Sequence, residues 1–146
     1  MQWISRAAVC IAAVGLNACA GNGEGLDANG RPPGSGDPGG GPLVATFDSI
    51  QANVFTPICT TCHAGAGAPQ GLRLDAANSY ANLVNVASHE VPSLKRVEPG
   101  DPDNSYLVQK VEGTAAVGGR MPLGRAPLTA QQIALIRQWI SEGANE

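Results

Sequence analysis

The sequence predicts an all-α domain of short helices joined by long loops. Three observations carry this. Apolar residues recur at helical spacing near both ends of residues 43–146, a capping signature opens the last of these runs, and the intervening stretches are rich in turn formers. In chain order, Phe47, Ile50, Val54 and Phe55 mark a first helix that Pro57 should end, because proline lacks a donor and its ring meets the preceding turn. A second, short helix falls over residues 79–86 and a third over 104–111. Residues 98–103, Glu-Pro-Gly-Asp-Pro-Asp, should form an ordered connection into the third helix. In the last helix Thr129 and Gln132 make a capping box, Ile133, Ile136, Trp139 and Ile140 an apolar face, and Gly143 a stop. That face reads as core, not as a membrane surface.

One motif carries chemistry. Cys59, Thr60, Thr61, Cys62 and His63 form C-x-x-C-H, the run by which a chain holds haem covalently and ligates its iron. Cysteines three apart on a helical turn share a face, so both thiols can add to the haem vinyl groups, and the next residue is aimed at the metal. A neutral imidazole is a strong iron ligand, which makes His63 the proximal candidate. A structural zinc site would want a fourth ligand and usually a second C-x-x-C, and a thioredoxin-like pair would want a βαβ setting. Neither context is visible in the sequence. One such motif and no internal repeat predict a single haem c.

Few residues can serve the other face of the iron, since the methionines are Met1 and Met121 and the histidines His63 and His89. Met121 follows Gly118, Gly119 and Arg120 and precedes Pro122. The glycines let backbone approach a flat cofactor, and the proline favours an extended residue before it. Met121 is therefore the expected distal ligand, a thioether that raises the potential relative to a second imidazole. The competing reading is a methionine filling a core gap. His89, in a polar stretch before Pro92, is the rival ligand. In the third helix Tyr106, Leu107 and Val111 are placed to face the cofactor.

Covalent haem attachment belongs to exported chains, and export is written at the start. Arg6 supplies a positive n-region and residues 7–16 a short apolar h-region, too short to span a bilayer. Residues 1–18 read as a signal peptide of the lipoprotein type. Leu16, Asn17, Ala18 and Cys19 resemble a bacterial lipobox, which predicts a lipidated Cys19 at the start of the mature chain. Ala18-Cys19-Ala20 also fits ordinary A-x-A cleavage, releasing a soluble chain that begins at Gly21. The lipoprotein reading gives the next stretch a purpose: residues 19–42 are dominated by Gly, Pro, Asn, Asp and Ser, and cannot bury a core. As a flexible tether they reach roughly 25–30 Å. Ala20 after the cysteine favours the outer membrane by the same resemblance. The expected location is the periplasm or cell envelope, with a lipid anchor at Cys19.

Residues 43–146 are the size of one domain and hold five aromatics, Phe47, Phe55, Tyr80, Tyr106 and Trp139. A buried porphyrin would supply the apolar surface they lack. The order of parts resembles a class I cytochrome c: helix, C-x-x-C-H, loops and a helix, methionine loop, terminal amphipathic helix. The resemblance is closer to the planctomycete-type cytochrome c domain family. It rests on residues 59–63, on Gly71-Leu72-Arg73-Leu74-Asp75, on residues 98–111 with PGDPDNSYL, on Met121-Pro122, and on residues 127–144 with LTAQQIALIRQWISEGA. It implies an all-helical haem c module with histidine and methionine ligands, acting in electron transfer. Leu123 departs from that family's usual second proline, which leaves the ligand in place but loosens the distal loop.

Charge narrows the partners. Residues 43–146 carry seven Lys and Arg against nine Asp and Glu, so nucleic acid is not expected. Arg120 and Arg125 flank the methionine loop and can pair with a haem propionate or stay solvated. Lys95 and Arg96 read as a solvated basic spot. The expected function is one-electron transfer with other redox proteins, not enzymic turnover. The alternative is a haem-based ligand sensor or peroxidase-like enzyme with a labile sixth position. It would need a distal acid or base, and His89 is the sole imidazole to serve.

Overall fold

The computed structural model describes residues 42–146, so the expectations for the signal peptide, for Cys19 and for nearly all of the linker lie outside the described residues. Among the described residues the domain is helical and has no strands. Two isolated bridges, Val84 with Val97 and Ala87 with Lys95, tie the central loop to itself.

Thr46 caps α1 (Phe47–Ile50), its hydroxyl accepting from the Ser49 N–H at 3.3 Å. The chain does not stop at Pro57 as the sequence predicts. α1 passes directly into a π-helical segment, Gln51–Cys59, with Pro57 inside it. The wider turn, sealed by Thr60 N–H donating to the Phe55 carbonyl at 3.0 Å, takes the preceding carbonyls off the pyrrolidine ring, the clash that ends an α-helix. The Thr60 hydroxyl donates to the Thr56 carbonyl at 2.5 Å, so that acceptor is occupied. The helix therefore delivers Cys59 at its last turn.

α2 (Ser79–Leu83) ends earlier than its apolar pattern implies. Val84 turns extended and Asn85 takes φ +61, with its N–H donating to the Val97 carbonyl at 3.0 Å. α3 (Tyr106–Glu112) begins just after the predicted turn. Asp101 accepts from the Asn104 N–H, Ser105 donates to the Asp101 carbonyl at 2.8 Å, and Gly100 at φ +84 donates to the Ile140 carbonyl of the last helix. α4 (Ala130–Ser141) has both halves of the capping box that Thr129 and Gln132 predict.

The core lies where α1 and α3 meet α4. Phe47 is its centre: its ring meets Tyr80 edge-on at 5.1 Å and Trp139 at 5.6 Å. Ile50, Val54, Leu83, Val97, Ile136 and Ile140 are all fully enclosed around it. Gln51 is a polar residue buried beside this packing. Its amide nitrogen donates to the Leu74 carbonyl at 3.0 Å, and its oxygen accepts from Ser79 at 2.5 Å. It thus fixes the loop after the C-x-x-C-H run against α2.

Candidate functional site

The π-helical segment hands over to the motif through one carbonyl. Cys59 O accepts from Cys62 N–H at 3.1 Å and His63 N–H at 2.9 Å, so the two thiols and the imidazole leave a single tight turn. The loop that Gln51 fixes then grips His63 twice. Leu74 N–H donates to the His63 carbonyl at 2.7 Å, and His63 Nδ1 lies 3.2 Å from the Leu72 carbonyl. A carbonyl only accepts, so this contact calls for the proton on Nδ1, which in the neutral ring leaves the lone pair on Nε2.

These groups face a mainly apolar cavity of about 300 Å³. Cys59, Cys62 and His63 contribute to it from the motif, Leu72 and Leu74 from the loop, and Leu83 from α2. Tyr106, Leu107 and Val111 face it from α3, as their spacing predicts. Met121 and Pro122 line it too, so the four residues singled out in the sequence come together on one cavity. Met121 is half-buried, and its N–H donates to the Lys110 carbonyl at 2.8 Å, which hangs the glycine-rich loop on the end of α3. Leu123 stands at the rim, 70 % exposed.

Burial pushes the Cys59 thiol up to about 12. It is a protonated thiol at neutral pH, the opposite of the lowered value on which thiol–disulfide exchange depends. Among the described residues no group of three or more His, Cys, Asp or Glu side chains is placed to hold a metal ion by itself, and no helix is long and apolar enough to cross a membrane.

His89 is exposed yet also lines the cavity, resting on Gly71. A Cβ there would come within 3.2 Å of its ring, and φ at Gly71 is +62. Of the two arginines beside the methionine loop, Arg125 lines the cavity, with Nη1 3.5 Å from Thr61 Oγ1. Arg120 does not line it and packs instead over Gly113.

Two features escape the sequence reading. Arg96, expected in a solvated spot, is buried and lines the cavity. Lys110 is buried as well, its ammonium 3.0 Å from Glu90 Oε2 and 5.6 Å from the Tyr106 ring centre. The Tyr106 hydroxyl is 3.0 Å from the same carboxylate oxygen and 2.9 Å from the Val117 carbonyl, with one proton to give. The Lys110 hydrogen bond, with help from Tyr106, holds the Glu90 carboxyl below the usual carboxylate range. Burial, reinforced by Glu90, pushes the Tyr106 phenol up. Lys110 had a readable signal, since it sits four residues after Tyr106 on the inward face of α3. Arg96 had none nearby, because its partners come from distant segments.

No family model, curated protein or solved structure matches the chain.

Proposed function

We propose that residues 43–146 form a monohaem c-type cytochrome of the class I kind that carries single electrons. In this reading Cys59 and Cys62 hold haem c through thioether bonds, and His63 and Met121 are its axial ligands. The chain is exported, anchored by a lipid at Cys19 to the outer membrane, and exchanges electrons with other redox proteins of the envelope. The observation that supports it best is the convergence of two thiols, an imidazole and a thioether on one apolar cavity, with a carbonyl beside the imidazole Nδ1 that favours the tautomer leaving Nε2 free. The donor set and the apolar lining suit a flat, largely apolar group tethered along one edge. The packing of α1 and α3 on α4 agrees with the class I order of parts.

Haem, when bound, supplies the one-electron change at iron. The chain's residues set the conditions for it. The Leu72 carbonyl fixes the His63 ring and makes it a better donor, Leu74 N–H holds its backbone, and the apolar side chains of α2 and α3 exclude water. The loop hung on Lys110 holds Met121 on the cavity, where its thioether would serve as the second ligand to a bound haem.

One observation favours the sensor or peroxidase-like alternative: His89 lines the same cavity and is solvent-exposed, where a distal imidazole could exchange protons. Mass spectrometry of the chain matured in a host that attaches haem c tests the shared premise. The expected mass includes one haem, lost in the Cys59→Ser, Cys62→Ser double variant. A wild-type chain that matures and folds without haem overturns both readings.

A further inference from the structure

The stretch that carries the chain from α3 to Met121 has little apolar hold on the domain. Gly113 closes α3 at φ +81, and of residues 114–120 Ala115 is half-buried and the others are exposed. Just past the methionine, Leu123 is exposed too. A segment that buries so little opens locally unless polar contacts hold it. Among the described residues, the hydrogen bonds that hold the chain from Ala116 to Met121 come from two residues of α3. The Val117 carbonyl faces the Tyr106 hydroxyl at 2.9 Å and Lys110 Nζ at 3.3 Å, and the Met121 N–H donates to the Lys110 carbonyl at 2.8 Å. Tyr106 has a single proton, for which Glu90 Oε2 competes at 3.0 Å. Lys110 has three, so it serves Glu90 and Val117 together. It thus holds the loop at two points, Val117 by its ammonium and Met121 by its own carbonyl. A lysine stem is flexible, but this one is fixed: it is 7 % exposed, its ammonium lies 3.0 Å from Glu90 Oε2, and Gly118 closes over the pair. A Cβ on Gly118 would stand 2.5 Å from Nζ and 2.7 Å from Glu90 Oε1. The central loop, α3 and the methionine loop therefore meet at one ion pair on the cavity wall.

We propose that Lys110 is a positioning residue for the sixth ligand: its pair with Glu90 latches the methionine loop, and the latch sets how often Met121 leaves the cavity and admits a small diatomic ligand to the iron. The inference rests on the haem c reading. It places the choice between a closed and an open sixth position in this pair as well as in Met121.

The test uses the full chain matured with haem and takes two readouts. Amide hydrogen exchange, read by mass spectrometry, compares peptides from residues 113–121 with peptides from α4, and absorption follows carbon monoxide added to the reduced chain. Lys110→Leu removes the ammonium and leaves the backbone tie to Met121. It is expected to speed exchange in the loop by about tenfold or more, the effect of losing a charged hydrogen bond, with α4 unchanged. Carbon monoxide should then bind the reduced variant, while the oxidised variant keeps the sulfur-to-iron band because Met121 is still present. Gly118→Ala, a position off the cavity, drives the loop away from the pair and should act in the same direction. It decides the matter alone if the leucine variant fails to mature. If exchange rises as much in α4 as in the loop, Lys110 serves only global stability and the proposal is overturned. A loop that loosens while carbon monoxide stays excluded, or one that exchanges as in wild type, overturns it equally. A wild-type chain whose mass lacks haem, or that binds carbon monoxide readily, overturns the proposal together with its premise, and both outcomes are read before any variant is made.

Discussion

Gln51→Leu is the substitution that most sharply probes how the fold holds the C-x-x-C-H loop. The change keeps side-chain volume nearly constant, so what it removes is hydrogen bonding. Gln51 is 7 % exposed and serves two buried partners, the Leu74 carbonyl and the Ser79 hydroxyl, while its third, Thr56, faces solvent. A buried polar group left unpaired costs about 1–3 kcal/mol, and the Thr56 contact adds little. The two orphans predict a loss of about 2–6 kcal/mol, which lowers Tm by roughly 10 °C or more for a domain of this size. The same asymmetry predicts a rescue. Ser79→Ala in the Gln51→Leu background deletes one orphan and should recover about 1 kcal/mol, although Ser79→Ala alone destabilises. Urea unfolding of the chain matured in a host that attaches haem c, followed by far-UV circular dichroism, measures all three variants. A Gln51→Leu loss below about 1 kcal/mol, or strictly additive losses in the double variant, would refute the claim that this network carries the loop.

The Glu90, Lys110 and Tyr106 cluster predicts both edges of a pH profile. Glu90 has a lowered folded pKa, so its contribution is complete above the usual value near 4.5 and is lost as pH falls through the folded value. Tyr106 has a raised one, so its contribution is complete below the usual value near 10 and is lost as pH rises through the folded value. Glu90→Gln should flatten the acid side of a Tm-against-pH curve, and an unchanged acid limb would contradict the assignment. Gly118→Ala places a Cβ 2.5 Å from Lys110 Nζ and 2.7 Å from Glu90 Oε1 at φ +73, whereas Gly124→Ala at φ +70 meets nothing within 4 Å. The first should cost about 2–3 kcal/mol and the second about 1 kcal/mol, since only strain remains there. Equal losses in urea unfolding would mean that the close approach over the ion pair carries no weight.

The parts of the fold legible in the sequence are those with local causes. Thr129 and Gln132 cap α4 within one turn, the turn after Glu98 is closed by near neighbours through Asp101, Asn104 and Ser105, and Tyr106, Leu107 and Val111 share a face because of helical spacing. Pro57 misleads for a local reason too: its rule holds for an α-helix, and the chain widens to a π-helix instead. Arg96 and Gln51 were not legible. The partners of Arg96 lie 14 and 26 residues away, and those that bury Gln51 lie 23 and 28 residues away. A basic residue beside Lys95 looks solvated until tertiary folding encloses it. The cavity-lining roles of Cys59, Cys62, His63 and Met121 were legible because few residues in the sequence could compete for them.

The most direct test of the central claim is the absorption spectrum of the matured chain, oxidised and reduced, for wild type and Met121→Ala, with carbon monoxide added to each. The account predicts a low-spin wild type with a sulfur-to-iron charge-transfer band. That band should vanish in Met121→Ala, and carbon monoxide should bind the variant but not the wild type. A wild-type chain that is high-spin, or that binds carbon monoxide readily, would contradict His63/Met121 ligation and leave the sensor or enzyme reading in its place.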